Sequence, residues 1–239
     1  MPRAVQRIVI LTGAGVSAES GVPTFRGPDG LWEGHRVEDV ATPDAFRRNP
    51  ALVQAFYDAR RARLAEVEPN AAHRALARLD SEWSGELLLV TQNVDDLHER
   101  AGSRRLLHMH GQLRSAWCLA CDSRSPWDGP LSGSPACPVC GAVGRLRPDI
   151  VWFGEIPYHL DAIEEALSAC DLFIAIGTSG VVYPAAGFVD TARWAGAHCI
   201  EVNAEPSDVA SRFHEHRRGP AGQLVPLLVD ELLAARAAA

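Results

Sequence analysis

Lysine is absent from this 239-residue chain, whose 23 basic residues are all arginine. This absence excludes a lysine Schiff base or a lysine general base, and it excludes modification of the protein on a lysine side chain. No apolar run approaches the roughly 18 residues of a membrane-spanning helix. The N-terminus also lacks the apolar region and cleavage site of a signal peptide. We therefore expect a cytoplasmic protein with no membrane partner.

Basic residues are also outnumbered by acidic ones, 23 to 30. The net charge of −7 at pH 7 argues against nucleic-acid partners and anionic membranes. Hydrophobic residues make up 47% of the chain and charged residues 22%, so a sizeable core is available and disorder is disfavoured. We expect one large domain, or one domain with a small insert, in a monomeric protein.

A glycine-rich turn follows the first apolar run, residues 8–11, in the pattern Gly13-x-Gly15-x-x-Ala18. A strand, a glycine turn and a helix start form the arrangement by which α/β proteins bind a pyrophosphate, because glycines let backbone N–H groups approach the anion. A plain tight turn is the alternative. The ribose-binding acid expected at the end of a second strand about 20 residues on is missing, which disfavours a hydride-transferring dehydrogenase.

Polar or glycine-rich loops follow four predicted strands, after Leu11, Val90, Ile176 and Val202. Parallel strands place such loops at one edge of a sheet, so a ligand site is expected there. The candidates in these loops are Asn93, Asp95, Gly177, Thr178, Ser179 and Asn203. Alternatively, Asp95 or Asp96 caps a short helix over residues 97–101, and the Gly-Thr-Ser-Gly loop is a plain turn.

Two histidines, His108 and His110, alternate in an extended segment before Gly111. Their side chains are predicted to point to opposite faces, so one can be buried and hydrogen-bonded while the other faces a cleft. Tyr57 and Arg60 share one face of a helix that begins near Pro50. From spacing alone, this second pair is equally well interpreted as a surface aromatic beside a solvated arginine.

Four cysteines form two pairs, Cys118-x-x-Cys121 and Cys137-x-x-Cys140, with 15 residues between the pairs. This spacing predicts one tetrahedral zinc held by four thiolates, a structural site with no open coordination position. The intervening Ser, Pro and Gly residues cannot build a core, so the metal would supply the stability of this module. Two disulfides or a redox pair are the alternatives.

Seven segments occur in one order along nearly the whole chain: GAGVSAESGVPTFRG, TQNVDDLHERAG, HMHG, the paired CxxC motifs, RPDIVWFGE, GTSGVVYPAAG and NAEPS. In this combination the chain resembles the sirtuin family of NAD-dependent protein deacylases. The resemblance implies an α/β fold with a Rossmann-like parallel sheet and helices on both faces, formed by residues 1–28, 71–111 and 147–239. It also implies a small domain of residues 29–70 and 112–146, made of a helical module and a four-cysteine zinc ribbon.

The resemblance further implies that NAD is a consumed co-substrate, which accounts for the missing ribose-binding acid. His110 would be the general base, Asn93 a second catalytic residue, and Thr24, Phe25 and Arg26 part of a lid. The implied NAD contacts are Gly13, Ala14, Gly15, Ala18, Glu19, Thr24, Phe25, Arg26, Trp32, Gln92, Asn93, Val94, Asp95, Gly177, Thr178, Ser179, Asn203, Ala204, Glu205 and Ala221. The implied peptide contacts are Val151, Phe153, Gly154 and Glu155.

The spacing Tyr57-x-x-Arg60 resembles the pair that marks class III sirtuins, whose acyl pocket admits dicarboxylic groups. The resemblance therefore implies acyl-lysine protein substrates that carry succinyl, malonyl and also acetyl groups. The products would be nicotinamide, deacylated lysine and 2′-O-acyl-ADP-ribose. Arg60 can bind a carboxylate through two parallel N–H donors, and the Tyr57 hydroxyl can donate a further hydrogen bond to it.

Three other functions compete with deacylation. An NAD(P) oxidoreductase would have no use for His110, the zinc and the Asn93–Asp95 loop together. A non-enzymatic zinc-ribbon module for nucleic acid conflicts with the acidic net charge. ADP-ribosyl transfer is the alternative within the family, and His110 with the Tyr57–Arg60 pair favours deacylation over it.

Overall fold

The computed structural model describes residues 5–23, 32 and 34–237. Within these ranges the chain forms nine β-strands: β1 Arg7–Thr12, β2 Glu86–Thr91, β3 Leu106–His108, β4 Gly111–Cys118, β5 Arg124–Pro126, β6 Leu146–Ile150, β7 Leu172–Ile176, β8 His198–Asn203 and β9 Glu215–Arg218. The same ranges contain eight α-helices: α1 Val37–Val40, α2 Pro43–Arg48, α3 Pro50–Arg63, α4 Ala71–Glu82, α5 Leu97–Ala101, α6 Leu160–Ala169, α7 Phe188–Trp194 and α8 Ala221–Ala237.

Six strands form one parallel sheet in the order β3-β2-β1-β7-β8-β9. Strand β1 pairs with both β2 and β7, so that Thr12 at its end lies opposite Thr91 and Ile176. Both β1 and β7 are nearly continuous apolar runs, as expected for strands that are covered on both faces. The chain order changes direction around β1, and the strand ends there form the crevice in which such sheets bind ligands. The predicted parallel α/β class is confirmed.

Alternate residues of β1 face two separate cores. Ile8 and Ile10 pack in a cluster with residues of α4 and α8. Val9 and Leu11 pack in a second cluster with residues of α6 and α7. Because successive side chains of a strand point to opposite faces, this alternation places helices on both sides of the sheet.

The remaining elements form a second region beside the sheet edge. Strands β4, β5 and β6 form an antiparallel sheet in the order β5-β4-β6. Residues of α1, α2 and α3 share an apolar cluster with Leu113 of β4, Ile150 of β6 and Trp152. The cysteine-bearing end of this region has only a small cluster, built on Ala116, Cys118, Leu131, Cys137 and Leu146. The division into domains at 29–70 and 112–146 stays a prediction.

Among the described residues, no helix is long and apolar enough to cross a membrane. The cytoplasmic location and the monomeric state stay predictions.

Gly111 fixes how β4 starts beside β6. Its φ is +82°, a region that favours glycine. A Cβ built at this position would lie 2.0 Å from the Asp149 carbonyl oxygen. The residue directly after His110 is therefore glycine for two reasons, its backbone conformation and a close approach of two chains.

Gly111→Ala should destabilise the protein by about 2 kcal/mol more than Gly196→Ala, because only the first adds a backbone clash to the cost of a positive φ. Gly196 is a matched control, since its φ is +88° and an added Cβ would meet nothing within 4 Å. Urea unfolding midpoints of the two variants check this expectation. Equal midpoints would show that β4 can move away from β6 without cost.

Candidate active site

The loops after β1 and β7 touch through their glycines. A Cβ on Gly15 would lie 2.7 Å from the Gly177 Cα, and one on Gly13 would lie 2.8 Å from the Gly177 oxygen. The Gly15 amide donates to the Gly177 carbonyl at 2.9 Å. Gly177 itself has φ +62°, and a Cβ there would lie 2.5 Å from the Val16 nitrogen. The first glycine turn is therefore packed backbone to backbone against the second one.

Two short 3-10 helices, Ala14–Val16 and Ala18–Ser20, follow the first glycine turn. Gly21, with φ +85°, ends the second of them. The predicted lid residues Thr24, Phe25 and Arg26 lie outside the described residues.

A buried polar cluster, which we call the Ser17 cluster, joins the loops after β1 and β2. It consists of Ser17, His73, Asn93 and Asp95. The Ser17 hydroxyl donates to Asp95 Oδ2 at 3.0 Å and accepts from Asn93 Nδ2 at 3.0 Å. His73 Nε2 lies 3.4 Å from the same hydroxyl. Asn93 and Asp95, two predicted site residues of the same loop, are thus both hydrogen-bonded to the Ser17 hydroxyl.

Burial sets the ionisation of the Ser17 cluster. Desolvation raises the pKa of Asp95, while hydrogen bonds from the Leu97 amide and the Ser17 hydroxyl oppose that rise. Desolvation lowers the pKa of His73 to about 4, so its imidazole is neutral near pH 7. Asp95 Oδ1 also accepts from the Leu97 amide at 3.2 Å, whereas the N-cap residue of α5 is Asp96, whose side chain makes no capping hydrogen bond.

Sequence reasoning did not single out Ser17 or His73 as site residues. His73 lies three residues after Asn70, and the two form a capping box at the start of α4. That pattern predicts a helix start and carries no information about the distant Ser17. Only the packing of α4 against the first loop brings them together, where Asn70 Nδ2 also donates to the Val16 carbonyl at 2.8 Å.

The two histidines of the HMHG segment have different surroundings. His108 is buried, with Nε2 at 2.7 Å from Glu99 Oε1 and Nδ1 at 3.1 Å from the Asn93 carbonyl oxygen. His110 is half-buried, with Nδ1 at 3.1 Å from the Gln92 carbonyl oxygen. A carbonyl can only accept, so Nδ1 of His110 carries the hydrogen and Nε2 is its basic nitrogen.

The ionisation of His110 suits a base near neutral pH. Desolvation lowers its pKa below the ordinary value of 6.5, and the hydrogen bond with the Gln92 carbonyl opposes that change. The imidazole is therefore mostly neutral at pH 7 and can accept a proton at Nε2.

Thr178 links three of the strand-end loops. Gln92 Nε2 donates to Thr178 Oγ1 at 3.1 Å, and Asn203 Nδ2 donates to the Thr178 carbonyl at 2.8 Å. The loops after β2, β7 and β8 are thus joined along the predicted edge. Further along, Ala204 and Glu205 are exposed.

Two more predicted NAD contacts meet at the start of α8. The Glu19 carboxylate accepts from the Gly222 amide at 2.6 Å, next to Ala221. Two further predicted NAD contacts, Val94 and Ser179, form backbone hydrogen bonds. The Val94 carbonyl accepts from the Leu113 amide, and the Ser179 carbonyl accepts from the Asp208 amide. The structure therefore places Glu19 beside the start of α8, and Val94 and Ser179 in the loops that follow β2 and β7.

Tyr57 and Arg60 lie in an aromatic cluster with Trp32, Phe56 and Trp152. Tyr57 is 0% exposed and Arg60 is 8% exposed, so the alternative of a surface aromatic beside a solvated arginine is wrong. The Arg60 guanidinium lies over the Trp32 ring, 4.2 Å from its centroid. Trp32, a predicted NAD contact, therefore packs beside the predicted acyl-binding pair.

The predicted peptide-binding turn follows β6. Its backbone is anchored on both sides, since the Val151 amide donates to the His110 carbonyl at 2.9 Å and the Phe153 amide donates to the Ala41 carbonyl at 3.0 Å. The Glu155 carboxylate turns inward and accepts from Arg147 at 2.6 and 3.0 Å and from the Trp152 amide at 2.8 Å. Because its carboxylate is engaged in these bonds, Glu155 would contact a peptide through its backbone.

The four predicted zinc ligands converge. Their sulfur atoms all lie within 4.8 Å of one another, with 3.8 Å between Cys118 and Cys140 and between Cys121 and Cys137. Four thiolates around zinc, at Zn–S distances of about 2.3 Å, give S···S separations of about 3.8 Å. The sulfurs are too far apart for disulfides. Cys170 and Cys199 are buried elsewhere.

The fold and the site together define a dinucleotide-binding α/β protein with a four-cysteine zinc module beside its ligand crevice. The Sir2 family model matches residues 13–184, which is more than half of the chain. The chain belongs to the Sir2 family.

Named relatives agree with this membership. A protein called NAD-dependent protein deacylase from Bdellovibrio bacteriovorus is 57% identical over 233 residues, which cover 97% of this chain and 98% of that protein. A protein of the same name from Escherichia coli K12 is 54% identical over 237 residues, which cover 98% of this chain and 85% of that protein. The solved complex of a Sir2 homolog with NAD matches with a TM-score of 0.88 at 40% identity, covering 97% of this chain and 91% of that one.

Metal analysis of the purified protein should give about one zinc per chain, because four converging thiolates fill a tetrahedral shell. Cys137→Ser should lose the metal and unfold the cysteine-bearing end of the small sheet, which has little core of its own. Cys199→Ser is the control, since this buried thiol lies outside the cluster and its replacement should keep the zinc. Zinc-free protein that stays fully folded would contradict the structural role.

Proposed function

We propose that the protein is an NAD-dependent protein-lysine deacylase that removes succinyl and malonyl groups, and acetyl groups as well. The products are nicotinamide, deacylated lysine and 2′-O-acyl-ADP-ribose. Membership of the Sir2 family supports the reaction type. The observation that carries the acyl preference is the burial of Tyr57 and Arg60 together, with the Arg60 guanidinium over the Trp32 ring.

The NAD contacts proposed from the sequence surround the crevice at the ends of β1, β2, β7 and β8. The amides of Gly13, Gly15 and Gly177 donate to the Ile176, Gly177 and Val202 carbonyls. The glycines are therefore proposed to serve the pyrophosphate by letting the two turns pack closely at the crevice, and not by donating to it themselves. In the deacylation reaction, NAD supplies a ribose carbon from which nicotinamide can leave. The protein's task is to hold this carbon next to the acyl-lysine carbonyl oxygen and to keep water away.

His110 is the proposed general base for the ribose hydroxyls. Its Nδ1–H is fixed on the Gln92 carbonyl, and Gln92 is itself held on Thr178. This arrangement holds the imidazole in one tautomer and leaves Nε2 as the proton acceptor. Asn93 and Asp95, tied together by Ser17, are the proposed groups that orient the ribose, the carboxamide and a water.

The zinc is proposed to act through structure alone. Cys118, Cys121, Cys137 and Cys140 would fill all four positions, so no position is left for a substrate oxygen. The metal would stabilise the end of the sheet β5-β4-β6, whose strands β4 and β6 carry Gly111 and the start of the peptide-binding turn.

The acyl group is proposed to enter the aromatic cluster from the turn 151–155. A succinyl or malonyl carboxylate then meets the Arg60 guanidinium and the Tyr57 hydroxyl. Burial makes such a charge-assisted contact stronger than it would be in water. A carboxylate is the chemical group that this pair recognises best.

Activity should fall below neutral pH as His110 becomes protonated. Because burial lowers the pKa of His110, the acid limb of kcat/KM is expected to have its midpoint below the ordinary histidine value of about 6.5. NMR titration of the His110 ring should give the same midpoint. His110→Ala should lose at least about 100-fold in rate while its thermal melting stays that of the wild type. A midpoint above the ordinary histidine value, or an active His110→Ala enzyme, would remove His110 from the base role.

Arg60→Met should weaken removal of succinyl far more than removal of acetyl. Loss of a charged hydrogen-bonding partner predicts a decrease of about 10- to 100-fold in kcat/KM for a succinyl-lysine peptide, with the acetyl peptide nearly unchanged. Mass spectrometry of one peptide carrying either group measures both rates. Arg63→Met, an exposed position on the same helix, is the control and should change neither. Equal losses for both peptides would contradict the acyl assignment.

A further inference from the structure

The indole of Trp152 lies between the predicted acyl-binding pair and the ion pair of buried Arg147 with half-buried Glu155. Its Nε1–H donates to the Tyr57 hydroxyl oxygen at 3.0 Å. Tyr57 is 0% exposed and Trp152 is 2% exposed, so water does not compete for this hydrogen bond. Trp152 belongs to the turn that follows β6, whereas Tyr57 belongs to α3. The contact therefore joins the proposed peptide-binding turn to the proposed acyl pocket.

The direction of this hydrogen bond determines what the Tyr57 hydroxyl can do. An indole N–H only donates, whereas a phenol has one donor hydrogen and two acceptor lone pairs. The Tyr57 oxygen is thus the acceptor from Trp152, and its own O–H remains available for another acceptor. Burial raises the pKa of Tyr57, so the phenol keeps this proton at every physiological pH.

Trp152 is also held in place by contacts with residues other than Tyr57. The Arg147 guanidinium lies over the indole, 3.4 Å from the ring centroid. Glu155 binds Arg147 through both carboxylate oxygens and also accepts from the Trp152 amide. Phe46 packs on the same indole at a centroid distance of 5.2 Å. These contacts fix the ring, and with it the position of its N–H.

We propose that Trp152 is a positioning residue for dicarboxylic acyl groups, which holds the Tyr57 hydroxyl so that its proton is presented to the acyl carboxylate. This inference rests on the proposed function. It assigns Arg147 and Glu155 the task of holding the indole, and it gives Trp152 no contact with the substrate. An acetyl group has no carboxylate for the Tyr57 proton, so the effect of Trp152 is specific to acyl groups that carry one.

Trp152→Phe removes the indole N–H and keeps an aromatic ring. The expected result is a rise in KM for a succinyl-lysine peptide of roughly three- to tenfold, the range of one neutral hydrogen bond, with kcat nearly unchanged. The kinetic constants for the acetyl-lysine peptide should stay within about twofold. Tyr57→Phe should show the same pattern, and the double variant should be no worse than Tyr57→Phe alone, because the indole acts only through the hydroxyl.

Trp117→Phe is the matched control. Trp117 also stacks against Arg147, at 4.9 Å, and its Nε1 also donates a hydrogen bond, but to Asp122 at 2.7 Å. Its replacement should leave the succinyl-to-acetyl ratio unchanged. Equal losses for both peptides in Trp152→Phe, an unchanged succinyl KM, or additive losses in the double variant would each overturn the positioning role.

Measuring wild type and Arg60→Met in the same series separates two failures. A selective loss in Arg60→Met without one in Trp152→Phe overturns only the role of Trp152. A wild-type enzyme that ignores succinyl overturns the proposed acyl preference, and the role of Trp152 with it.

A further measurement needs only the wild-type protein. The indole N–H resonance of Trp152, followed by ¹⁵N NMR, should shift when the succinyl peptide binds and stay in place with the acetyl peptide. A resonance that responds identically to both peptides would overturn the proposal even if Trp152→Phe does not fold.

Discussion

The close contact between two glycine turns is the constraint on which the rest of the site depends. Gly13 and Gly15 follow β1, and Gly177 follows β7, with Cβ positions that would fall within 2.5 to 2.8 Å of the facing backbone. Side chains at these positions would push the two loops apart. Thr178, next to Gly177, would then no longer meet both Gln92 and Asn203. The position of the His110 imidazole follows from this contact, because the Gln92 carbonyl accepts its Nδ1–H.

Two buried regions with different chemistry meet at this edge of the sheet. On one side, the Ser17 cluster is a hydrogen-bonded polar group, in which burial keeps His73 neutral and raises the pKa of Asp95. On the other side, the aromatic cluster contains the cation of Arg60. A buried polar group is costly unless it is hydrogen-bonded, and a charged contact is stronger away from water. The first region therefore suits the orientation of polar sugar groups, and the second suits an acyl group that ends in a carboxylate.

The sequence was sufficient for features that depend on local spacing. The apolar runs predicted the central strands. The spacing of the paired cysteines predicted that their four sulfur atoms lie together. The alternation of His108 and His110 predicted that the two side chains have different surroundings. Contacts between distant segments could not be predicted in this way. Neither the pairing of Ser17 with His73 nor the hydrogen bond from Trp152 to Tyr57 has a local pattern, because each depends on how a helix packs against a remote loop. Glu155 is a further example. The motif predicted that this residue lies along the peptide, but it did not predict that its carboxylate binds Arg147.

The central claim is that the acyl group passes from lysine to the ribose of NAD. Its most direct test is the product balance for a succinyl-lysine peptide, measured by liquid chromatography with mass spectrometry. The account predicts one nicotinamide and one 2′-O-succinyl-ADP-ribose for each lysine released. Free succinate with NAD left intact would show simple hydrolysis and would contradict the account.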